Sequence, residues 1–402
     1  MAGTPAGAYF IKRLTGGVYS DSMAIRMTIK HVTFTFALTL FFALSGGMVS
    51  AQEGDLYLLQ SHDPVFLQET EGLFETFYSN SRTVVVRLKK PLGELPPEVR
   101  AKIRPVKAGE VYNAPAKSAV REHPRPDVTK LLSKVSGEKI RHYTETLAIT
   151  GKRSVGQLDI AAGSGNKTAV SKTVDILQSL GYTVEKQCYK KRKFDQECNV
   201  IGRKAGASPS SEAILTVAHM DSVGYNNAGA DDNASGTAGL LEMARVLAEY
   251  KTDAELVFLA ANGEETDIAG STAYAAKLKE MGLAGRIKWA INMDMIAWNK
   301  DGVVELETNQ EFKDYAEFAG LMAKTYTTLT PHIAMPAWGS DHVPFLEAGI
   351  PTYLSIEHWE NHNPCYHKAC DTMDKISVDY AVNIVKLNLA VIAHKTTVAP
   401  VK

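Results

Sequence analysis

The sequence has few cysteines and almost no net charge. Four of its 402 residues are cysteine, and 44 Lys and Arg residues face 45 Asp and Glu residues, for a formal net charge of −1. Such a balance does not provide the strongly basic surface with which proteins bind nucleic acids, so we expect no nucleic-acid partner. With 45% hydrophobic and 22% charged residues, the composition is typical of a globular protein with one large domain and a smaller one.

The cysteines form two closely spaced pairs, Cys188 with Cys198 and Cys365 with Cys370. An even, sparse set favours disulfides over a thiolate metal site when a protein is exported. Their order suggests one bond across a hairpin, Cys188–Cys198, and one around a tight loop, Cys365–Cys370. The other two pairings stay open at this point.

The apolar run near the N-terminus is too short to predict a membrane span with certainty. The run covers residues 32–44 and follows two basic residues, Arg26 and Lys30. It precedes SGGMVSAQ, in which Val49 and Ala51 are the small residues typical of a cleavage site. We therefore predict a signal peptide over residues 1–51, with Met23 or Met27 as alternative starts. The protein would be secreted or periplasmic, with no stable membrane anchoring; an uncleaved anchor is the alternative.

The rest of the chain divides into two parts of different character. Residues 52–127 contain a strand-like run, VVVRL, and then many prolines, which forbid long helices and predict a linker. We expect a small β-containing N-terminal segment here, a candidate pro-region. From residue 128 to residue 402, apolar strands alternate with helices, which indicates an α/β fold with a mostly parallel sheet between helices, in three layers.

Acidic and imidazole side chains follow four of these apolar strands. The strands read AILTVA, ELVFLAA, KWAINM and IPTYLSI. Ligands bind beyond the carboxyl ends of the strands in open α/β sheets, so these side chains are expected to meet at one edge. The residues concerned are His219 and Asp221, then Glu264 and Glu265, then Asp294, and finally His358, His362 and His367.

This set of residue types fits a pair of divalent metal ions. Zinc binds His nitrogen and carboxylate oxygen, and two ions about 3.5–4 Å apart need a bridging carboxylate plus roughly two further ligands each. Asp221 is spaced to orient the His219 imidazole. An acid left over beside the metals would act as general base, and neighbours such as Glu264 and Glu265 point in opposite directions at a strand end, so they could divide the two tasks.

The motifs resemble those of the secreted bacterial leucyl aminopeptidases with co-catalytic zinc. These enzymes are a branch of a larger group that also includes glutamate carboxypeptidase II, glutaminyl cyclase and the transferrin receptor. The resemblance covers about residues 128–394. It rests on AHMDS, GADDNASG, NGEETDIAGS, INMDM, GSDHVPF and NPCYHKACDT, in the family's order. The family's fold is a mixed sheet between helices, with the metals at the strand ends.

The resemblance implies a role for each residue. Two Zn²⁺ ions per chain would be held by His219, Asp232 as the bridge, Glu265, Asp294 and His367. Glu264 would be the general base, Asp221 would orient His219, and Tyr366 would polarise the substrate carbonyl. Cys365 and Cys370 match the positions of a small disulfide around the last histidine.

Several alternatives stay open at individual positions. Asp231 could be the bridge in place of Asp232, and otherwise would help to cap the following helix. His358 and His362 are alternative ligands, Asn233 is expected to be a structural loop or cap residue, and Tyr366 could simply pack. Asp341 and His342, in GSDH, receive no firm role.

The resulting hypothesis is a secreted di-zinc aminopeptidase that removes N-terminal amino acids from peptides, with a metal-bridging water as nucleophile and Glu264 as base. A zinc carboxypeptidase or deacylase, a glutaminyl cyclase and a non-catalytic binding protein on the same fold are the alternatives. The preferred N-terminal residue, the native metal and the oligomeric state are left open.

Overall fold

A computed structural model describes ten stretches of the chain: 56–59, 71–79, 84–100, 102–105, 123–149, 153–154, 165–190, 197–207, 212–223 and 227–401. The predicted signal peptide, residues 1–51, lies outside the described residues, as does most of the predicted linker. All described residues belong to one of the two units into which the chain divides, residues 38–402.

The N-terminal segment contains a four-stranded sheet in the order β2-β3-β1-β4. Its strands are β1 Tyr57–Leu59, β2 Phe74–Ser79, β3 Val84–Leu88 and β4 Ile103–Pro105, with a short helix α1 at Pro97–Arg100. Leu59, Phe74, Val86, Leu95 and Val99 form a small apolar core of their own. The small β-containing segment expected here is therefore confirmed.

The larger part of the chain is built on an eight-stranded sheet in the order β12-β11-β13-β10-β7-β9-β6-β5. The four central strands β13, β10, β7 and β9 run parallel to one another, whereas β6 is antiparallel to β9 and to β5, and β11 is antiparallel to β13. The expected mixed, mostly parallel sheet is confirmed. Its strands are β5 Thr183–Tyr189, β6 Glu197–Lys204, β7 Ala213–His219, β9 Glu255–Ala261, β10 Ile287–Met293, β11 Val303–Glu307, β12 Thr330–Ala334 and β13 Thr352–Glu357.

Helices cover both faces of this sheet, and a two-stranded ribbon of β8 (Tyr250–Thr252) and β14 (Val398–Pro400) accompanies them. The helices are α2 Pro126–Leu132, α3 Gly137–Ala148, α4 Asn166–Ser179, α5 Gly236–Ala248, α6 Ala269–Glu280, α7 Lys313–Tyr326, α8 His342–Glu347 and α9 Val378–Lys395.

The side chains of each buried strand point alternately to the two faces of the sheet, and this explains the three layers. In β7, Ile214 and Ala218 belong to the core that includes α5 and α9, whereas Leu215 and Val217 belong to the core that includes α6. Successive side chains of a strand point to opposite faces, so a strand apolar at every position has to be covered on both sides. The continuous apolar strands predicted this arrangement.

Both predicted disulfides are present. Cys188 and Cys198 lie directly opposite each other on β5 and β6, and Cys365 is bonded to Cys370. None of the helices in the described part of the chain is long and apolar enough to cross a membrane.

Candidate metal centre

The candidate residues gather at the carboxyl ends of the parallel strands. His219 is the last residue of β7, Asp294 follows β10 directly, and Glu264 and Glu265 lie just beyond the end of β9. Because these three strands are parallel neighbours, their ends share one edge of the sheet. His367 reaches the same place from the loop after β13, so the chain segments converge as the strand-end pattern indicated.

Two groups of three side chains could each hold a metal ion, and they share one carboxylate. We call them the His219 triad (His219, Asp232, Asp294) and the His367 triad (Asp232, Glu265, His367). In the first, His219 Nε2 lies 3.3 Å from Asp294 Oδ1 and 3.6 Å from Asp232 Oδ1. In the second, His367 Nε2 lies 3.2 Å from Asp232 Oδ2 and 3.0 Å from Glu265 Oε2. Asp232 therefore presents one oxygen to each triad.

The donor set fits two divalent cations. Glu265 Oε1 is buried and has no hydrogen-bond partner in the described part of the chain, and Asp232 and Asp294 are almost completely buried beside it. Several carboxylates gathered away from water repel one another and are costly to ionise without compensating positive charge. Imidazole and carboxylate are also the ligands that zinc prefers.

The surroundings shift the ionisation of these groups strongly. Burial and the carboxylate of Asp232 raise the pKa of Glu265 to about 7. Burial raises the pKa of Glu264 well above its ordinary value, with further contributions from Glu265 and Asp294, although His219 opposes the rise. Burial lowers the pKa of His367, but its hydrogen bonds to Asp232 and Glu265 outweigh this effect and raise it to about 11. The site thus attracts positive charge.

Asp221 connects the two glutamates to His219. Its Oδ1 accepts a hydrogen bond from the backbone N–H of Glu264 at 3.1 Å, and its Oδ2 accepts one from Glu265 at 3.2 Å. Its Oδ1 also lies 3.4 Å from His219 Nδ1, a long contact beside the two amide bonds. Asp221 therefore orients the Glu264–Glu265 turn as well as facing the imidazole. Its spacing from His219 predicted the contact with the imidazole but not the bonds to the two glutamates.

His367 and Tyr366 lie within the loop that the Cys365–Cys370 disulfide closes. His367 has a left-handed backbone, with φ of 57°, which is uncommon for a residue other than glycine and is frequent at functional sites. The Tyr366 ring stacks on His367 at 3.8 Å between centroids. Burial raises the pKa of Tyr366 well above its ordinary value, and the negative charges of Asp232 and Glu265 add to this.

Asp231 lies behind the centre and takes part in neither triad. Its Oδ1 accepts a hydrogen bond from the backbone N–H of Ala297 at 2.9 Å, and its Oδ2 accepts one from Asn363 at 3.0 Å. The expectation that Asp231 caps the following helix is wrong. The Gly236 N–H donates instead to Asn233 Oδ1 at 2.8 Å, because the chain at Asp232 and Asn233 is not helical and α5 begins only at Gly236.

The remaining histidine candidates have other partners. His358 Nδ1 lies 2.6 Å from Asp301, and His362 stacks on Trp359 with 4.6 Å between ring centroids. His342 Nε2 lies 3.1 Å from Glu307. None of these three belongs to either triad among the described residues. Asp341, for which no role was predicted, accepts a hydrogen bond from Ser271.

Three buried residues that support the centre were not predicted. Asp371 accepts hydrogen bonds from the backbone N–H groups of both Asp231 and Asp232, at 2.9 and 3.0 Å. Ser340 donates to Asp294 Oδ2 at 2.8 Å. The Arg153 side chain is completely buried, and its guanidinium bonds carbonyl oxygens of the segments that precede Asp231 and Asp232. Asp371 and Ser340 lie inside the motifs ACDT and GSDH, so closer attention to those motifs could have found them; nothing in the sequence points to Arg153.

Comparison with known proteins supports the resemblance seen in the motifs. Residues 199–392 match the profile of peptidase family M28. Over 225 residues, the chain is 32% identical to Aminopeptidase YwaD of Bacillus subtilis (strain 168). That alignment covers 53% of this chain and 49% of the relative, so the chain spans about half of the relative's length.

Solved structures share the fold over most of this chain. LapB from Legionella pneumophila has a TM-score of 0.61 at 20% identity, covering 85% of this chain and 99% of that one. BSAP, a zinc aminopeptidase from Bacillus subtilis, has a TM-score of 0.58 at 18% identity, covering 69% of this chain and 96% of that one. Together these matches confirm the resemblance to the metallo-aminopeptidase group and the three-layer fold predicted from the sequence.

Proposed function

We propose that this chain, whose residues 199–392 match peptidase family M28, is a metal-dependent aminopeptidase. The observation that carries the proposal is the pair of three-residue groups that share Asp232, with Glu264 beside them. The aminopeptidases among its relatives and structural neighbours support the same reaction. A non-catalytic binding protein on this fold would be expected to lack a ligand or the base. Every expected residue is present here, which favours the enzyme.

The two triads would hold two zinc ions. His219 and Asp294 would bind one ion, Glu265 and His367 the other, and Asp232 would bridge them, as its two oxygens face different histidines. When bound, such ions supply Lewis acidity that activates water and polarises a peptide carbonyl. The protein's part is to fix these ligands: Asp371 holds the backbone at Asp232, and Ser340 holds Asp294 Oδ2.

Glu264 would move the proton of the reaction. Its carboxylate is largely buried, and its Oε2 lies 3.9 Å from His219 Nε2, outside both triads. A carboxylate held beside the ions without binding them can accept a proton from water and return it to the leaving amine. Asp221 holds the backbone N–H of Glu264, which limits how far the base can move.

Tyr366 would stabilise the carbonyl oxygen of the substrate. Its ring is fixed between His367, on which it stacks, and Trp359, which it meets edge-on with 5.4 Å between centroids. A phenol fixed in this way can donate a hydrogen bond to an oxygen that gains negative charge in the transition state. Tyr366 would thus act together with the ions on the carbonyl oxygen.

The chain between Asp294 and His367 is too short to contain the inserted domain of a different enzyme type. A carboxypeptidase or deacylase of the related two-zinc kind would carry an inserted domain between ligand strands. Here the stretch from Asp294 to His367 is taken up by β11, α7, β12, α8 and β13. A glutaminyl cyclase works with one metal, whereas both triads are present here. We further propose that the protein is exported, since its two disulfides are typical of oxidising compartments.

The test is hydrolysis of leucyl-p-nitroanilide by the full-length chain, with and without a chelator. We expect hydrolysis that the chelator abolishes and that added zinc restores. The matched control is acetyl-leucyl-p-nitroanilide, which lacks the free amine and should be hydrolysed at least about 100-fold more slowly. Equal rates on the two substrates would instead indicate an endopeptidase or deacylase, and no hydrolysis of either would contradict the proposal.

A further inference from the structure

Arg153 is a completely buried arginine next to the metal centre. It is 0% exposed, and in the described part of the chain no carboxylate lies within ion-pair distance of its guanidinium. A buried charge without a direct counter-ion is costly unless all of its donors are satisfied. We therefore expect the buried Arg153 guanidinium to have a role that is more specific than stabilising the fold.

The guanidinium bonds to carbonyl groups of two separate ligand segments. Nε donates to the carbonyl oxygen of Met220 at 2.7 Å, immediately after His219. Nη2 donates to the carbonyl oxygen of Gly229 at 2.8 Å, three residues before Asp232, and Nη1 donates to that of Ala228. One rigid group thus spans the gap between the His219 segment and the Asp232 segment.

The contact with Gly229 depends on the absence of a side chain there. Gly229 has φ of 56°, and a Cβ at this position would lie 2.7 Å from Arg153 Nη2 and 2.3 Å from the Asp232 carbonyl oxygen. The backbone at Gly229 can therefore approach the guanidinium only because the residue is glycine. The loop that carries Asp232 is built around the arginine.

The backbone of Arg153 is tied to a third ligand segment. Its carbonyl oxygen accepts a hydrogen bond from Asn166 Nδ2 at 2.6 Å, and Asn166 is paired with Asn262 through two bonds of 2.7 and 2.9 Å. Asn262 lies two residues before Glu264. The Arg153 N–H donates to Ser222 Oγ at 3.2 Å, next to Asp221. Arg153 is thus linked to the ends of β7 and β9 and to the segments that follow them, which carry His219, Asp232 and the two glutamates.

We propose that Arg153 is a positioning residue that sets the spacing between His219 and the bridging Asp232, and so sets how tightly the His219 triad binds its ion. The inference rests on the proposed function, since it assumes that the triads bind metal. The planar guanidinium is suited to this task because its donors are fixed in a fork, whereas a lysine ammonium is a single point on a flexible stem. Asp232 would be displaced relative to His219 if that fork were lost.

The test is zinc binding by the metal-free protein, measured by competition with a chromogenic chelator, for the parent and Arg153→Lys. We expect one ion to bind about 10- to 100-fold more weakly, the range typical of residues that orient metal ligands. The other ion, which shares Asp232, should lose clearly less affinity. At limiting zinc kcat should fall, with KM within about threefold of the parent, and excess zinc should restore much of kcat, since the effect acts through occupancy.

Arg245→Lys is the matched control. Arg245 is a partly buried arginine on α5 that bonds the buried carboxylate of Glu242 at 2.7 Å and the carbonyl oxygen of Lys134 at 2.6 Å, away from the metal centre. Its substitution should lower the melting temperature but leave both zinc affinities unchanged. Three results would overturn the inference. They are parent-like zinc affinities in Arg153→Lys, an equal loss at both sites of Arg153→Lys, and the same losses in Arg245→Lys as in Arg153→Lys.

A second variant keeps the inference testable if Arg153→Lys does not fold. Ser222→Ala removes only the side-chain acceptor of the Arg153 N–H. We expect the affinity for one ion to fall about threefold and the affinity for the other to change less; two unchanged affinities would count against the inference. The two proposals are separable. A parent that binds two zinc ions but hydrolyses no aminoacyl substrate contradicts the proposed function and leaves the Arg153 test intact, whereas a parent that binds no zinc overturns both.

Discussion

Glu264 and Glu265 are adjacent in the chain but have different neighbours. Glu265 Oε2 lies 3.0 Å from His367, while Glu264 Oε2 lies 3.9 Å from His219. Asp221 holds both backbone N–H groups, so the two side chains leave the same turn in defined directions. This separation is the physical basis for giving one glutamate a ligand role and the other a proton-transfer role.

Glu264→Ala should therefore abolish turnover without abolishing metal binding. We expect kcat on leucyl-p-nitroanilide to fall by about 10²- to 10⁴-fold, the usual contribution of a positioned general base. Zinc content should stay at the parent level, because Glu264 belongs to neither triad. Steady-state kinetics and metal analysis of the same preparation check both parts.

Glu265→Ala provides the contrast, because it removes a member of the His367 triad. It should lose zinc as well as activity. If Glu264→Ala kept normal turnover, another group would have to carry the proton; if it lost zinc as Glu265→Ala does, Glu264 would have to be reassigned as a ligand.

At the scale of single residues, the strand pattern predicted the groups that directly follow strands, and the motif resemblance added Asp232 and His367. Neither pointed to Arg153. His219, Glu264, Glu265 and Asp294 could be placed together because parallel strands end at one edge. Arg153 comes from a short stretch with no recognisable pattern, and its role depends on carbonyl groups 67 and 76 residues further along the chain. Contacts to backbone carbonyls leave no signature in the type of the partner residue.

At the scale of elements, the strands were easier to predict than the turns between them. The apolar strands β7, β9, β10 and β13 were all recognised, but β12 was not, since its sequence TPHIA includes a proline and lies at the edge of the sheet. The helix that follows the GADDNASG motif begins only at Gly236. Asp232, with φ of −104° and ψ of 95°, is extended there in order to reach both histidines, and this tertiary demand overrides local helix preference.

The loop between β10 and β11 is connected to the loop after β13 through Asp301. Its carboxylate accepts hydrogen bonds from the Val303 N–H at 3.0 Å and from Asn361 at 2.7 Å, and it lies 2.6 Å from His358 Nδ1. Burial raises the pKa of Asp301, but the bonds from His358, Val303 and Asn361 outweigh this and lower it below its ordinary value. The ionised form is therefore favoured by the folded state.

Asp301→Asn should consequently destabilise the protein in a pH-dependent manner. A carboxylate whose pKa is lowered on folding adds stability above its unfolded pKa of about 4, and that stability is lost as the pH falls through the lower folded value. We expect a loss of about 1 kcal/mol at pH 7, a modest figure because the side chain keeps 29% exposure. The difference from the parent should shrink as the pH drops below about 4.

Urea unfolding of the parent and Asp301→Asn at pH 7, 5 and 3.5 measures this difference. Asp175→Asn, which changes an exposed carboxylate on α4, is the control and should have little effect at any of these values. A difference that did not shrink between pH 5 and pH 3.5 would mean that Asp301 is not stabilised in its charged form by these bonds.

At the scale of the whole molecule, the sheet brings buried negative charge to one edge. Asp221, Asp231, Asp232, Asp294 and Asp371 are all buried there, together with the two glutamates. Nothing in the amino-acid composition foreshadows this, since the whole chain is nearly neutral. The concentration arises because separate strands deliver acids to the same place, and the cost is offset by apolar cores on both faces of the sheet.

Zinc should therefore stabilise the folded protein as a whole, because the folded chain assembles the site and the unfolded chain does not. A ligand present at 100 times its dissociation constant adds about 2.7 kcal/mol per site. For two sites in a domain of this size, we expect the melting temperature at pH 7.5 to rise by about 5–10 °C when zinc is added to chelator-treated protein. The rise should be smaller at pH 5, where protons compete with the metal for imidazole and carboxylate.

Asp232→Asn is the decisive comparison for this thermal shift, because Asp232 belongs to both triads. Asparagine has nearly the same shape but carries no charge, so it should weaken both sites and remove most of the zinc-induced rise. It should also make the metal-free protein less stable than the parent, since it removes the carboxylate that pairs with His367 at 3.2 Å. Differential scanning calorimetry with and without zinc measures both effects, and an undiminished rise in Asp232→Asn would mean that the ions bind elsewhere on the chain.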